Sequence, residues 1–135
     1  MVYWFKPFNE RRERGMREHG EEIQRLAEEF ADCRKILQAL GDANRQHLIL
    51  EMLRMGRCSG VRVSEIAERT HLSRPAISHH VRILKEAGLL RMRREGTKNY
   101  YYFDADTDAM RGLIQMLAHA KRIMEALPDR SGEEE

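Results

Sequence analysis

The sequence predicts a mainly α-helical fold with one two-stranded β-hairpin. Apolar residues recur at helical spacing along most of the chain, in segments separated by glycines and helix-capping residues. The exception is residues 89–104, where two strand-like runs flank Glu95-Gly96-Thr97. The chain has 135 residues, of which 41% are hydrophobic and 34% are charged, so it has the composition of one globular domain with appended segments.

The first predicted helix runs from Glu21 to Leu40 and ends at Gly41. Its apolar side chains alternate in steps of three and four residues, which is the spacing of a coiled-coil seam. Residues 1–20 precede this helix as an N-terminal extension. The seam consists of Ile23, Leu26, Phe30, Cys33, Leu37 and Leu40.

Two helices of different length are predicted next. Asp42 can cap a helix over residues 43–55, and Ser64 can cap a short helix over residues 65–71. Between these helices, the sequence suits a short strand that contains Val61 and Val63.

A longer helix begins at Ser73 and ends at about Ala87, before Gly88. Pro75 lies in its first turn, where the missing N–H costs nothing. Its predicted buried stripe consists of Ile77, Val81 and Leu84.

The remaining chain predicts a hairpin and one more helix. Residues 89–95 and 98–104 form the two strands, and a helix from Thr107 to Leu127 follows. Residues 128–135 form a polar tail. The last helix has a second seam of three- and four-residue steps, formed by Met110, Leu113, Leu117, Ala120, Met124 and Leu127.

A short helix, a tight turn, a longer helix and a hairpin form the winged helix-turn-helix pattern. An α-helix about 10–12 Å wide fits the major groove of DNA. We therefore predict that helix 73–87 enters the major groove and that the wing, residues 91–103, contacts the DNA backbone or minor groove. The predicted DNA-binding residues are Ser73, Arg74, Pro75, Ser78, His79, Arg82, Arg93, Arg94 and Lys98.

The charge distribution agrees with double-stranded DNA as a partner. The whole chain has a net charge of only +2. Residues 33–104, however, carry 14 Lys and Arg against 7 Asp and Glu, a net charge of +7 between two acidic flanks. A basic segment at the predicted DNA-facing surface is typical of proteins that bind polyanions. The alternative is a winged-helix module that binds a protein partner without sequence-specific DNA binding.

Two apolar seams that flank a winged helix predict a homodimer. A winged helix of about 70 residues has its own core, so both seams are available to pack at a two-fold axis. A dimer presents two recognition helices and predicts a pseudo-palindromic site. The alternative is a monomer in which both long helices cover one core. The predicted interface residues are Ile23, Leu26, Phe30, Leu37, Met110, Leu113, Leu117 and Met124.

Other classes of protein find little support in the sequence. It contains no nucleophile–base pair, phosphate-binding loop or complete metal site, so we predict no enzymatic activity, no metal and no cofactor. No run of about 18 apolar residues is present, so we expect no membrane partner. Two cysteines are too few for a disulfide framework, and the predicted compartment is the cytoplasm.

Two groups of side chains could sense a signal. Cys33 lies on the first seam and is expected to pack. Cys58 lies in a loop near Arg57 and Arg62, whose charges would favour a thiolate, but the sequence places no second cysteine within reach for redox sensing. Several methionines recur at helical spacing and are expected to pack in the hydrophobic core, with a ligand pocket lined by them as the alternative. These methionines are Met52, Met55, Met110, Met116 and Met124.

From Cys33 to Asp104 the sequence resembles the ArsR/SmtB family of winged-helix regulators. The motifs that carry the resemblance lie at residues 37–45, 63–68, 72–90 and 93–101. The resemblance implies a dimeric repressor that a small-molecule or redox effector releases from its operator. The DNA-reading positions of the family fall on Ser73, Arg74, Ser78, His79 and Arg82, with wing contacts near Arg94 and Lys98.

The sequence departs from the metal-binding patterns of this family. Many members carry Cys-Val-Cys before the turn, where this chain has Arg62-Val63-Ser64. Others bind zinc on the last helix, but here one matching position is an arginine, which has no lone pair to donate. Those four positions are Asp106, Asp108, His119 and Arg122.

The turn of the helix-turn-helix also departs from the family. His71 stands where this turn commonly has a glycine, and histidine tolerates left-handed backbone geometry better than most residues.

Overall fold

The computed structural model describes residue 17 and residues 19–128. It contains α1 (helical over residues 19–32), α2 (Arg34–Leu40), α3 (Ala43–Met55), α4 (Val63–Arg69), α5 (Arg74–Glu86), β1 (Leu90–Glu95), β2 (Lys98–Phe103) and α6 (Asp108–Glu125). The predicted mainly α-helical winged helix-turn-helix fold is confirmed. The extension up to residue 16, and the tail beyond Pro128, lie outside the described residues.

The chain divides into two compact units. The central unit is Cys33–Leu113, and the flanking unit contains the described residues up to Asp32 and from Ile114 onward. The central unit therefore contains the helix-turn-helix and the wing. The flanking unit contains α1 and the larger part of α6.

The prediction of one uninterrupted first helix was wrong, because the chain turns at Cys33. Cys33 has a φ of −91° and a ψ of 5°, and α2 begins only at Arg34. After this turn, α2 buries Ile36 and Ala39 in place of the predicted seam residue Leu37, which is half-buried. Three- and four-residue spacing continues through the turn, so periodicity alone does not reveal it.

The core of the central unit is formed by side chains from every helix of the helix-turn-helix. Burial of each large apolar side chain stabilises the folded protein by about 1.5–3 kcal/mol through the hydrophobic effect. The predicted stripe of α5 is confirmed, since its three apolar residues are fully buried. The residues with no exposed surface include Leu48, Ile66, Ile77, Val81 and Leu84.

The start of α4 differs from the prediction in two respects. The helix begins at Val63, so Ser64 lies inside it, and the N-cap position is Arg62, whose side chain makes no capping hydrogen bond. Only Val61 has strand character: its N–H donates to the carbonyl of Tyr101, and the N–H of Tyr101 donates back, both at 2.8 Å. Val61 thus adds one bridge to the edge of the wing.

The turn between α4 and α5 needs no left-handed residue. Among the described residues, only glycines have positive φ angles, so His71 has ordinary backbone geometry. The tolerance of histidine for left-handed geometry is therefore not used in this turn. The α4 helix ends at Thr70, which has an extended backbone, and this geometry makes the turn.

The wing is an antiparallel hairpin with a two-residue loop. Leu90 pairs with Phe103 at its base and Glu95 with Lys98 at its tip. Gly96 occupies the loop with a φ of 60°, a left-handed conformation that glycine adopts without steric cost. Residues 94–99 at the tip of the hairpin are exposed, and they include Arg94 and Lys98.

Candidate nucleic-acid interface

The sequence of α5 fixes which side of this helix faces outward. Ser73 caps it, since the Ser73 hydroxyl accepts a hydrogen bond from the Ala76 N–H at 3.3 Å. With the apolar stripe buried on one side, the opposite side presents polar residues to solvent. We call Arg74, Ser78, His79 and Arg82 the recognition face, and all four are exposed. The predicted residues Ser73 and Pro75 are also exposed, beside this face.

Two adjacent histidines of α5 have opposite environments. His79 is exposed, and its Nδ1 atom lies 3.3 Å from Nη2 of Arg82. His80 is only 9% exposed, and its buried Nδ1 has no hydrogen-bond partner among the described residues. Burial lowers the pKa of His80, partly offset by the negative charge of Asp42. His79 is therefore available to a ligand, whereas His80 belongs to the core.

The N-cap residue of α3 is Asp42, whose carboxylate partly offsets the lowered pKa of His80. Asp42 accepts a hydrogen bond from the backbone N–H of Arg45 at 3.0 Å, and this bond lowers the pKa of the Asp42 carboxyl group. The Arg45 side chain turns back and donates to the carbonyl of Ala39 at 2.8 Å. These contacts join the end of α2 to the start of α3.

Arg93 of the wing is held by contacts within the protein. Its Nη2 donates to the carbonyl of Ser59 at 2.8 Å, across the loop that follows α3. Its guanidinium also pairs with Glu95 and lies 4.8 Å above the ring of Tyr100. These contacts connect the wing to residues 56–60, and they occupy donors that a phosphate would otherwise use.

The other basic side chains of the wing differ in their availability. Arg91 pairs with Asp104 at 2.7 Å, and Nε of Arg94 donates to the carbonyl of Gly96 at 3.0 Å. Lys98 is exposed and forms no ion pair with any residue that the structure describes. At the wing tip, Lys98 and the remaining donors of Arg94 are therefore free to contact a ligand.

A polar cleft lies between the start of α4, α5 and the wing tip. We call this cavity of about 310 Å³ the wing cleft. Its polar lining residues are Arg62, Ser64, Arg74, Ser78, Lys98 and Asn99, together with Thr97 and Tyr101. No carboxylate lies among the described residues that line it. Three cations and several neutral donors therefore converge on one concave site.

The wing cleft contains the predicted residues Arg74, Ser78 and Lys98, and also Arg62 and Asn99, which the sequence analysis did not select. Arg62 is 12 residues from Arg74 along the chain, and only the fold brings both to one cavity. The sequence analysis placed Arg62 in a short strand between Val61 and Val63, so it gave no signal that this residue precedes the short helix.

The two cysteines have different environments. Cys33 is buried and Cys58 is exposed, and no disulfide joins them. Cys58 lies beside Met52, Leu53 and Phe103 at a cavity of about 280 Å³. The Arg57 guanidinium, expected to activate this thiol, pairs with Glu65 at 2.5 Å.

The last helix contains no assembled metal site in the part of the chain that the structure describes. His119 is buried in the flanking unit, and its Nδ1 lies 2.6 Å from Oε1 of Glu29. Asp108 pairs with Arg111. Within these described residues, no helix combines the length and apolarity that a membrane crossing requires.

The predicted dimer residues have different environments. Leu113 is buried, while Leu26, Leu37 and Met110 are half-buried. Ile23, Phe30, Leu117 and Met124 are exposed, and Ile114 and Leu127 share this exposure. We call these six residues the flanking apolar set, because all of them belong to the flanking unit.

A helix-turn-helix with an exposed basic face, followed by a basic hairpin, defines a winged helix-turn-helix protein. The family model described as "Bacterial regulatory protein, arsR family" matches residues 44–91. An uncharacterized HTH-type transcriptional regulator of Methanocaldococcus jannaschii is 37% identical over 79 residues, which cover 58% of this chain and 85% of that protein. The HTH-type transcriptional repressor SmtB of Mycobacterium tuberculosis is 30% identical over 112 residues, which cover 72% of this chain and 79% of SmtB.

The similarity extends to solved structures. The homodimeric winged helix-turn-helix DNA-binding domain Mb0332 of Mycobacterium bovis superposes with a TM-score of 0.50 at 20% identity, covering 79% of this chain and 93% of that domain. This match shows a shared fold. The chain belongs to the ArsR family, and it is a DNA-binding transcriptional regulator and not an enzyme.

Proposed function

We propose that this chain is a cytoplasmic, homodimeric repressor that binds a pseudo-palindromic operator. The recognition face carries the proposal. Arg74, Ser78 and Arg82 follow one another at intervals of four residues, so they lie along one side of α5. Guanidinium and hydroxyl groups on that side suit base edges and phosphates in the major groove.

Affinity and sequence preference have different sources in this proposal. Basic side chains at the wing tip and in the wing cleft contact phosphates, which supplies affinity and makes it salt-dependent. His79 and Arg82 lie farther along the recognition face than Arg74 and Ser78, and we assign base contacts to them. Arg93 supports the wing through Ser59 and Tyr100, so we assign it a positioning role and not a direct DNA contact.

The flanking apolar set supports the proposed dimer. Leu117 is 54% exposed and Met124 is 67% exposed on α6, and Ile23 and Phe30 are exposed on α1. Several large apolar side chains left in water within one unit are typical of an interaction surface. The M. bovis domain of the same fold is described as homodimeric. A two-fold dimer through this surface would place two α5 helices on one duplex.

The test is binding of the parent and the Arg82→Ala variant to an operator obtained by selection from random duplexes. We expect the parent to prefer the operator over a scrambled duplex, and Arg82→Ala to lose about 1–3 kcal/mol with relaxed preference at one base pair of each half-site. Arg54→Ala is the matched control, because Arg54 lies on α3 and pairs with Glu51. Equal, weak binding of the parent to all duplexes would instead indicate a protein-interaction module.

A further inference from the structure

We propose that the wing cleft holds one phosphate of the DNA backbone, with Arg62 as a phosphate ligand that neither the sequence motifs nor the relatives assign. This inference rests on the proposed function, and it adds a residue from the start of α4 to the interface. The cleft is lined by Arg62, Arg74 and Lys98, from three separate elements, with Ser64, Ser78 and Asn99 between them.

The chemistry of the lining selects a phosphate. The three cations of the cleft form no ion pair with other residues that the structure describes, so their charges are available to a ligand. Hydroxyl and amide groups at Ser64, Ser78 and Asn99 can donate to additional oxygens. Three cations without a lining carboxylate attract an anion with several acceptor oxygens.

The position of the cleft selects DNA as the source of this phosphate. The cleft lies between α5, which we place in the major groove, and the wing tip, which we place on the backbone. A strand that passes between these two elements would cross the cleft. Arg74 would then be a phosphate ligand that fixes the orientation of α5, and the base contacts fall to residues farther along the recognition face.

Arg62 can be replaced without disturbing the fold. Its backbone is extended at the N-cap of α4, and its side chain makes no capping hydrogen bond. We therefore choose Arg62→Gln as the test variant and Arg54→Gln as the matched control. Asn99→Asp is a second variant, because Asn99 is exposed and a carboxylate there would repel a phosphate. Equal thermal unfolding midpoints verify that all variants fold.

The experiment measures affinity for the selected operator and for a scrambled duplex between about 50 and 200 mM KCl. We expect Arg62→Gln to weaken binding to both duplexes by a common factor of about ten. The slope of log affinity against log salt should fall by about one per cleft, and so by about two for a dimer. Asn99→Asp should weaken binding to both duplexes more than Arg62→Gln does, whereas Arg54→Gln should bind both duplexes with the affinity of the parent.

A methylphosphonate scan locates the phosphate. One neutral linkage per half-site should weaken the Arg62→Gln complex less than it weakens the parent complex, because one of the three cationic contacts to that phosphate is already lost. Parental affinity and salt slope for Arg62→Gln would overturn the proposal. A loss confined to the operator would also overturn it, since that result indicates a base contact.

The outcomes separate this proposal from the proposed function. If the parent prefers no duplex, the operator assignment fails, whereas a uniform effect of Arg62→Gln would still support a phosphate site. If the parent is selective and Arg62→Gln binds as the parent does, only the cleft assignment fails. Titration of inorganic phosphate into isotope-labelled protein tests whether the wing cleft binds free phosphate and not a phosphate of the DNA backbone. Shifts at the amides of Ser64 and Asn99, together with parental DNA binding by Arg62→Gln, would assign the cleft to free phosphate.

Discussion

A β-carbon at Gly88 would lie 2.7 Å from the β-carbon of Ala109, closer than any neighbour of the other glycines that the structure describes. Gly88 also has a φ of 84°, in the left-handed region. It follows Ala87, the C-cap of α5, and Ala109 lies in the first turn of α6. The turn that leaves the recognition helix therefore depends on a residue without a side chain.

Alanine at Gly88 should destabilise the protein more than alanine at Gly96. Both glycines have positive φ, so both substitutions incur about 1–2 kcal/mol of backbone strain. Only Gly88→Ala also meets Ala109, and overpacking of this kind costs roughly a further 1–3 kcal/mol. Urea denaturation measures the free energy of unfolding. Equal losses for the two variants would contradict the observed contact.

His80 should make the protein less stable in mild acid. Burial lowers its folded-state pKa below the unfolded value of about 6.5, so the unfolded chain binds the proton more readily. The stability that neutral His80 contributes is fully present above about pH 6.5, and it is lost as the pH falls through the folded pKa.

His80→Leu should therefore reduce the fall in unfolding free energy between about pH 7 and pH 5. The buried Nδ1 of His80 has no hydrogen-bond partner among the described residues, so replacing His80 with leucine removes no hydrogen bond at that atom. His79→Leu is the control, because His79 is exposed on the same helix. A pH dependence that His80→Leu leaves unchanged would rule out this histidine as its source.

Arg93 should stabilise the free protein, in contrast to Lys98. Arg93→Ala removes the hydrogen bond to Ser59 and the contact with Tyr100, which should cost about 1 kcal/mol and speed amide exchange in β1 and β2. Lys98→Ala should leave exchange unchanged while weakening binding to every duplex. If Arg93→Ala exchanges as slowly as the parent, Arg93 does not position the wing.

A charge within the flanking apolar set should dissociate the proposed dimer. Leu117→Glu or Met124→Glu would bury a carboxylate against the partner's apolar surface, and sedimentation should then report monomers. Gln115→Glu is the control, because residue 115 lies on the opposite side of α6 from Leu117. If both Leu117→Glu and Met124→Glu remain dimeric, the dimer interface lies elsewhere.

Local signals in the sequence were sufficient to predict the helix-turn-helix and the wing. Ser73, Pro75 and the apolar stripe each act within a few residues, and they fix the start and the buried side of α5. The turn at Cys33 was missed because the apolar spacing continues through it. The bridge from Val61 to Tyr101 and the approach of Arg62 to Lys98 were missed because both join residues that are distant in the sequence.

The most direct test of the account varies the spacing between the two half-sites of the selected operator. Two α5 helices in a symmetric dimer should require half-site centres about 10 bp apart, on one face of the duplex. We predict that inserting about 5 bp lowers affinity to that of a single half-site, and that inserting about 10 bp is tolerated better. Affinity that does not change with spacing would contradict a dimer that reads successive major grooves.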